Sequence, residues 1–114
     1  MAKVYTTGVN TVTAPFPNDT TFTARKVAVP TAGTPVNLPS LVVPDGRELT
    51  VRARPQNGKK LIFVADSSAN TAIAANRMVL AAGEGLALAV TNANAIWIDA
   101  DTNNAEVEIL IEQP

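Results

Sequence analysis

The chain has 114 residues, 46% of them hydrophobic, with ten acidic and nine basic side chains and neither cysteine nor histidine. This length supports one domain with a single core, and the hydrophobic content rules out a disordered chain. The lack of Cys excludes disulfide scaffolds and thiolate metal sites, the lack of His removes the commonest general base and metal ligand, and a net charge of −1 gives no global attraction for nucleic acid or an anionic membrane.

No apolar run approaches the roughly 20 residues that span a bilayer. The opening MAKVYTTGVNTV has no apolar core of the signal-peptide kind, so a soluble chain is expected. Residues 1–35 are poor in large aliphatics, rich in Thr, and interrupted by Pro15, Pro17, Pro30 and Pro35. Proline cannot donate to a sheet ladder and is confined to edges, strand starts and bulges. One edge strand is expected over Val4 to Thr13 and another over Phe22 to Val29. The region reads either as an extended N-terminal arm or as two edge strands joined by a turn at Pro17 to Asp19.

The β-sandwich domain is placed at 36–114. Val36 to Val43 suits a strand leading into a Pro44-Asp45-Gly46 turn, in which Pro presets φ and Gly accepts a positive φ. Glu48 to Arg54 alternates, with Leu49, Val51 and Ala53 on one face, the pattern of a half-buried strand. Pro55-Gln56-Asn57-Gly58 is a turn, and Lys59 to Ala65 a further strand. Asp66 to Asn76 admits a short helix capped by Asp66 or Ser67, but the preferred reading is a loop. Arg77 to Ala81, Leu86 to Thr91 and Ala95 to Ala100 follow as strands, separated by Gly83-Glu84-Gly85 and Asn92-Ala93-Asn94. Glu106 to Glu112 closes the domain with Val107, Ile109 and Ile111 inward and glutamates outward. About seven or eight short strands at this spacing predict an all-β fold, a Greek-key or jelly-roll-like sandwich.

Two stretches echo each other. LVVPDGRELTVRARPQNGKKLIFVAD (41–66) and VLAAGEGLALAVTNANAIWIDAD (79–101) both read turn, strand, loop, strand. Leu41 matches Leu80, Asp45 matches Glu84, Gly46 matches Gly85, Leu49 matches Leu88 and Val51 matches Val90, and Ile62-Phe63-Val64 matches Ile96-Trp97-Ile98. Such self-similarity points to an internal repeat and to two hairpins related by pseudo-symmetry.

Catalytic motifs find no support. Ser40, Ser67 and Ser68 have no His partner, Lys59-Lys60 sits at an exposed turn without the desolvation that would activate it, and Gly83-x-Gly85 is too short for a dinucleotide fingerprint. Asp99-x-Asp101-x-Asn103-Asn104 begins like a calcium loop, but its sixth position is Asn104 rather than Gly and its twelfth is Leu110 rather than Glu. An Asp/Asn-rich turn is the preferred reading. Arg25, Lys26, Arg47, Arg52, Arg54, Lys59 and Lys60 crowd the first half. Without interleaved aromatics, a solvated face or pairing with Glu106, Glu108 and Glu112 on a neighbouring strand is expected. No enzyme activity and no cofactor are expected.

Ile62-Phe63-Val64 and Ile96-Trp97-Ile98 are apolar on both strand faces. Either both faces are covered within the domain or one meets another chain; a chain with few elements to spare favours an oligomer or docking surface. The run AGEGLALAVTNANAIWIDAD, with its counterpart LPSLVVPDGRELTVRARPQNGKKLIFVAD, resembles small virion proteins of tailed bacteriophages over residues 36–112, in its pattern of turns and strands. The resemblance implies a β-sandwich or jelly-roll module of the capsid-decoration type, located in the virion and assembled in the host cytoplasm. Its partners would be the major capsid protein and further copies of itself, with neither nucleic acid nor membrane. A neck, tail or fibre-base component, or a carbohydrate-binding sandwich, are the alternatives. The expected assembly contacts are Tyr5, Phe16, Phe22, Arg25 and Lys26 in the arm, and Phe63 and Trp97 in the domain.

Overall fold

The computed structural model describes residues 4–6, 11–13 and 21–113. Over these residues the chain is all-β, a sandwich of two four-stranded antiparallel sheets with a separate two-stranded ribbon. Its helical content is confined to four 3₁₀ turns of three residues each.

The ribbon is β1 (Val4–Thr6) paired with β2 (Thr11–Thr13), Val4 opposite Thr13. A single edge strand over 4–13 is therefore not what forms; Gly8 falls between the two pieces in sequence, and glycine weakens a strand interior. The side chain of Tyr5, and all of Phe16 and the Pro17–Asp19 turn, lie outside the described residues.

The sandwich strands are β3 (Thr21–Val29), β4 (Val36–Asn37), β5 (Leu49–Ala53), β6 (Ile62–Ala65), β7 (Met78–Leu80), β8 (Gly85–Leu88), β9 (Trp97–Ala100) and β10 (Ala105–Gln113). The first sheet runs β3-β10-β5-β8 and the second β4-β9-β6-β7. β3 pairs with β10 along its whole length, Thr21 opposite Gln113 and Val29 opposite Ala105. The sandwich thus begins at Thr21, and a boundary at residue 35 cuts through it: of the two readings of residues 1–35, the edge strand holds for 21–29.

Period-two patterning accounts for the core. Leu49, Val51 and Ala53 on β5 face the same way as Val107, Ile109 and Ile111 on β10, and all six are buried. Ile62 and Val64 on β6 and Ile98 and Ala100 on β9 face them from the second sheet. Val36 to Val43 forms only the two-residue β4 and an isolated bridge between Val42 and Asn92, since Pro39 has no N–H to extend the ladder. The turn beyond it is as expected: Arg47 N–H donates to Pro44 C=O at 3.0 Å, and Gly46 has φ of 77°. Gly46→Ala forces a β-carbon into this left-handed conformation and is expected to lower stability by about 1–2 kcal/mol; the urea midpoint reads the change.

The repeat is present, but its units are not hairpins. β5 lies in the first sheet and β6 in the second, as do β8 and β9 respectively. Each unit therefore crosses the sandwich, and the pairing runs between units. β5 pairs with β8 and places Leu49 opposite Leu88; β6 pairs with β9 and places Val64 opposite Ile98. Both are residue pairs that the repeat makes equivalent. Antiparallel strands that meet at equivalent residues are related by a two-fold rotation, and β4 and β7 complete it as the two edges of the second sheet. One match shifts: the counterpart of Gly46 is Gly83 (φ 85°), in a turn closed by Glu84 N–H to Ala81 C=O at 2.9 Å. Gly85 instead lies in β8, where a β-carbon would come within 3.0 Å of the Val51 carbonyl oxygen.

Candidate assembly surface

The outer face of the second sheet is mostly covered from within. Phe63, Ala65, Trp97 and Asp99 share this face, Phe63 opposite Asp99 and Ala65 opposite Trp97. The segment 66–77, with its two 3₁₀ turns Asn70–Ala72 and Ala74–Asn76, packs over β6 and β9. Thr71 is fully buried there. The Arg77 guanidinium lies 3.6 Å from the centre of the Phe63 ring, a cation–π contact, and donates to Thr71 C=O at 2.9 Å. Ser67 Oγ accepts from Asn70 N–H, as an N-cap would, and Asp66 Oδ1 from the Asn70 side-chain amide, but the helix they could start goes no further than the 3₁₀ turn Asn70–Ala72. Phe63 and Trp97 are half-buried. Their doubly apolar strands are thus explained largely by the expected loop at 66–76, whose position over this sheet the sequence does not reveal.

The Asp/Asn-rich stretch after β9 is a corner between the sheets. Asp99 is buried, and its Oδ1 accepts from Gly33 N–H (2.9 Å) and Ala100 N–H (2.8 Å). Asp101 Oδ1 accepts from Leu61 N–H, and Asn103 Oδ1 from Ala32 N–H, each at 2.8 Å. Asn104 takes the left-handed conformation, φ 64°, which Asn tolerates better than most residues. One side-chain oxygen each of Asp99, Asp101 and Asn103 is thus spent on backbone N–H groups, which come from three separate segments. Asp99→Ala strands two of those donors and is expected to destabilise the fold by roughly 1–3 kcal/mol; chemical denaturation measures it.

The outer face of the first sheet divides in two. One half is a charge ladder across three strands: Lys26 to Glu106 (3.2 Å), Arg52 to Glu108 (2.8 Å), and Arg54 to Glu106 and Glu108 (3.8 and 3.9 Å). The basic stripe is thus largely neutralised by β10, with Glu106 and Glu108 as the partners. Exposed pairs of this kind are worth little, so Glu108→Ala is expected to change stability by less than about 1 kcal/mol. The other half is more apolar, with Phe22 (65% exposed) on β3, Leu110 on β10 and Ala87 on β8, interrupted by Glu112 opposite Phe22 and Thr50 between Leu110 and Ala87. Arg25 is exposed and donates to the carbonyl of Ala24. Phe22 and Lys26 therefore occupy one open face, whereas Phe63 and Trp97 lie on the other sheet.

At the β7 and β8 edges the core comes to the surface. A groove of about 400 Å³ opens between the sheets, lined by Val64, Met78, Leu86, Leu88 and Ile96, with Arg77 at its rim. Met78 is 59% exposed although it shares its face with buried Val64 and Leu80. Sequence reasoning missed this groove: β7 is a short apolar run and β8 alternates like an ordinary half-buried strand, and neither pattern says which strand ends a sheet. Among the described aromatic side chains only Phe22 is largely exposed, so no described face offers a platform of rings. No protein-family model matches the chain, and no curated protein matches it significantly.

Proposed function

We propose that this chain is a non-enzymatic structural protein of a tailed-phage virion, a capsid decoration protein whose copies bind the lattice of the major capsid protein. The observation that carries this reading is where its apolar surface lies. Phe22 and Leu110 are exposed on an open sheet face, Met78 in a groove at the β7 and β8 edges, and Val79 on the outer face of β7 opposite Phe63. Exposed apolar surface at open faces and rims suits docking to other chains. The resemblance of residues 36–112 to small phage virion proteins supports the same assignment. So does the strand order: eight strands, β3-β10-β5-β8 facing β4-β9-β6-β7, suit a jelly roll, an architecture used by viral capsid domains.

The arm is the expected second point of attachment, with many weak contacts summing at high local concentration. The test is co-sedimentation of purified protein with particles that lack it. Full-length chain is expected to bind saturably. A variant lacking residues 2–20 should bind at least tenfold more weakly while keeping the circular dichroism of the sandwich, since β3 begins at Thr21. Unchanged binding by the deletion variant rejects the arm, and no binding by either chain rejects the assignment.

A further inference from the structure

β8 is an edge strand with none of the usual protection. Natural edges are blunted by Lys, Pro, bulges or a covering loop. Residues 85–98 contain no charge and no proline, and no described strand pairs with the outer edge of β8. Its repeat partner β5 shows what is missing. β5 is flanked on its other edge by β10, and its inward Leu49 and Val51 are fully buried. The β8 residues directly opposite them, Leu88 and Leu86, are only half-buried and line the groove. The internal two-fold is therefore broken at one place: the position on β8 that corresponds to β10 on β5 is empty among the described residues, and the core stays open beside it.

The chain carries a segment suited to that position. Residues 4–18 are likewise free of charge, and the described part of them consists of Thr, Val and Tyr, residues that favour strands. β1 and β2 pair only with each other, as a sheet apart from the sandwich. A two-stranded ribbon is marginal in water and needs a third strand. The ribbon precedes β3, which is the opposite edge of the first sheet from β8, so a ribbon leaving one copy at β3 is placed to meet β8 of the next.

Resting on the reading of the chain as an assembling protein, we propose that the free edge of β8, with the Met78–Leu88 groove behind it, accepts the N-terminal ribbon of a second copy as an added strand. This is strand addition, in which backbone hydrogen bonds supply affinity and side-chain pockets supply register. The contact joins unlike surfaces of two copies, so it propagates head to tail and closes into a ring where the rotation allows.

The absence of cysteine makes the test direct. Full-length Ala87→Cys is mixed with full-length Thr11→Cys, Val12→Cys or Thr13→Cys in the absence of particles, oxidised mildly, and analysed on non-reducing gels with peptide mass spectrometry. The expected result is a covalent dimer joining position 87 of one chain to the ribbon of the other, abundant in at least one mixture and scarce in each variant alone. Ala87→Lys, which puts a charge on the edge while leaving the core untouched, should shift the free protein to monomer in sedimentation with the circular dichroism of the sandwich unchanged. The proposal is overturned by the absence of a mixed cross-link at all three ribbon positions. It is equally overturned by a double variant, Val12→Cys with Ala87→Cys, that closes only within its own chain, or by dimers that form only between two copies of position 87. The free chain is used throughout, so a mixed cross-link upholds strand addition even if particle binding fails, and particle binding without a cross-link rejects strand addition alone.

Discussion

Leu49→Ala is expected to destabilise the fold by about 2–5 kcal/mol, the range for truncating a buried leucine, while Leu88→Ala costs only about 1 kcal/mol in the monomer. The two residues face each other across the internal two-fold and are equivalent in the repeat. A symmetric sandwich would give them equal burial. They differ because β10 and β3 continue the first sheet beyond β5, whereas nothing described continues it beyond β8. Leu49 is sealed at 0% exposure, and the neighbours that seal it cannot all collapse into the space the lost isopropyl group leaves. Leu88 borders the groove, where water already reaches the side chain. Urea denaturation of both variants, at concentrations where the chain is monomeric, reads the difference as a shift in midpoint at constant m-value. Equal costs would show that the core is closed on both sides.

Asn57→Ala is expected to cost roughly 1–3 kcal/mol, because it leaves the Glu106 N–H without a partner near the core, while the Glu106 carbonyl keeps its bond from Arg54 N–H at 3.1 Å. The Asn57 side chain acts as a short piece of strand. Its Nδ2 donates to Glu106 C=O at 2.8 Å, and its Oδ1 accepts from Glu106 N–H at 2.9 Å. It is buried and joins the β5–β6 crossover to the start of β10. Asn57→Asp is the sharper variant: it keeps the acceptor but sets an oxygen against the Glu106 carbonyl, and it should cost at least as much as alanine despite its shape. Retention of wild-type stability by Asn57→Asp would place these hydrogen bonds outside the energetics of the fold.

The sequence is legible where local rules decide the outcome. Leu49, Val51 and Ala53, and again Val107, Ile109 and Ile111, alternate with polar residues, and both runs form the expected strands with the expected faces inward. Pro44-Asp45-Gly46 turns as its residues require. The pairing of Arg52 and Arg54 with β10 glutamates follows from charge alternation on adjacent strands. What is not legible is which sheet a strand joins. The two echoing stretches read as hairpins because each has two strands and a turn, yet Pro55–Asn57 and Ala93–Ala95 are crossovers between sheets. No local signal separates the two outcomes.

Asn57 in a Pro-Gln-Asn-Gly turn looks like a turn former, and only the distant Glu106 backbone reveals its second use. The covering of Phe63 and Trp97 was hidden for a related reason. Asp66 to Asn76 has neither helical nor strand periodicity, and its hold on the second sheet depends on Thr71 and Arg77 meeting β6. Of the expected contact residues, Phe22 and Lys26 share an exposed face, Arg25 is exposed on the same strand, and Phe63 and Trp97 are half-buried on the other sheet. The rim at Met78, Leu86 and Leu88 had no sequence signature beyond the missing charges of residues 85–98, which acquire meaning only once β8 is known to be an edge.

The proposed role as a repeated piece of a virion shell is tested most directly by quantitative mass spectrometry of purified particles from cells that make this protein, joined to imaging of those particles. The expected result is the chain on the capsid surface in hundreds of copies, the rough expectation for a symmetric lattice. Its absence from the particle, or about a dozen copies in a ring at the neck or tail, would contradict it.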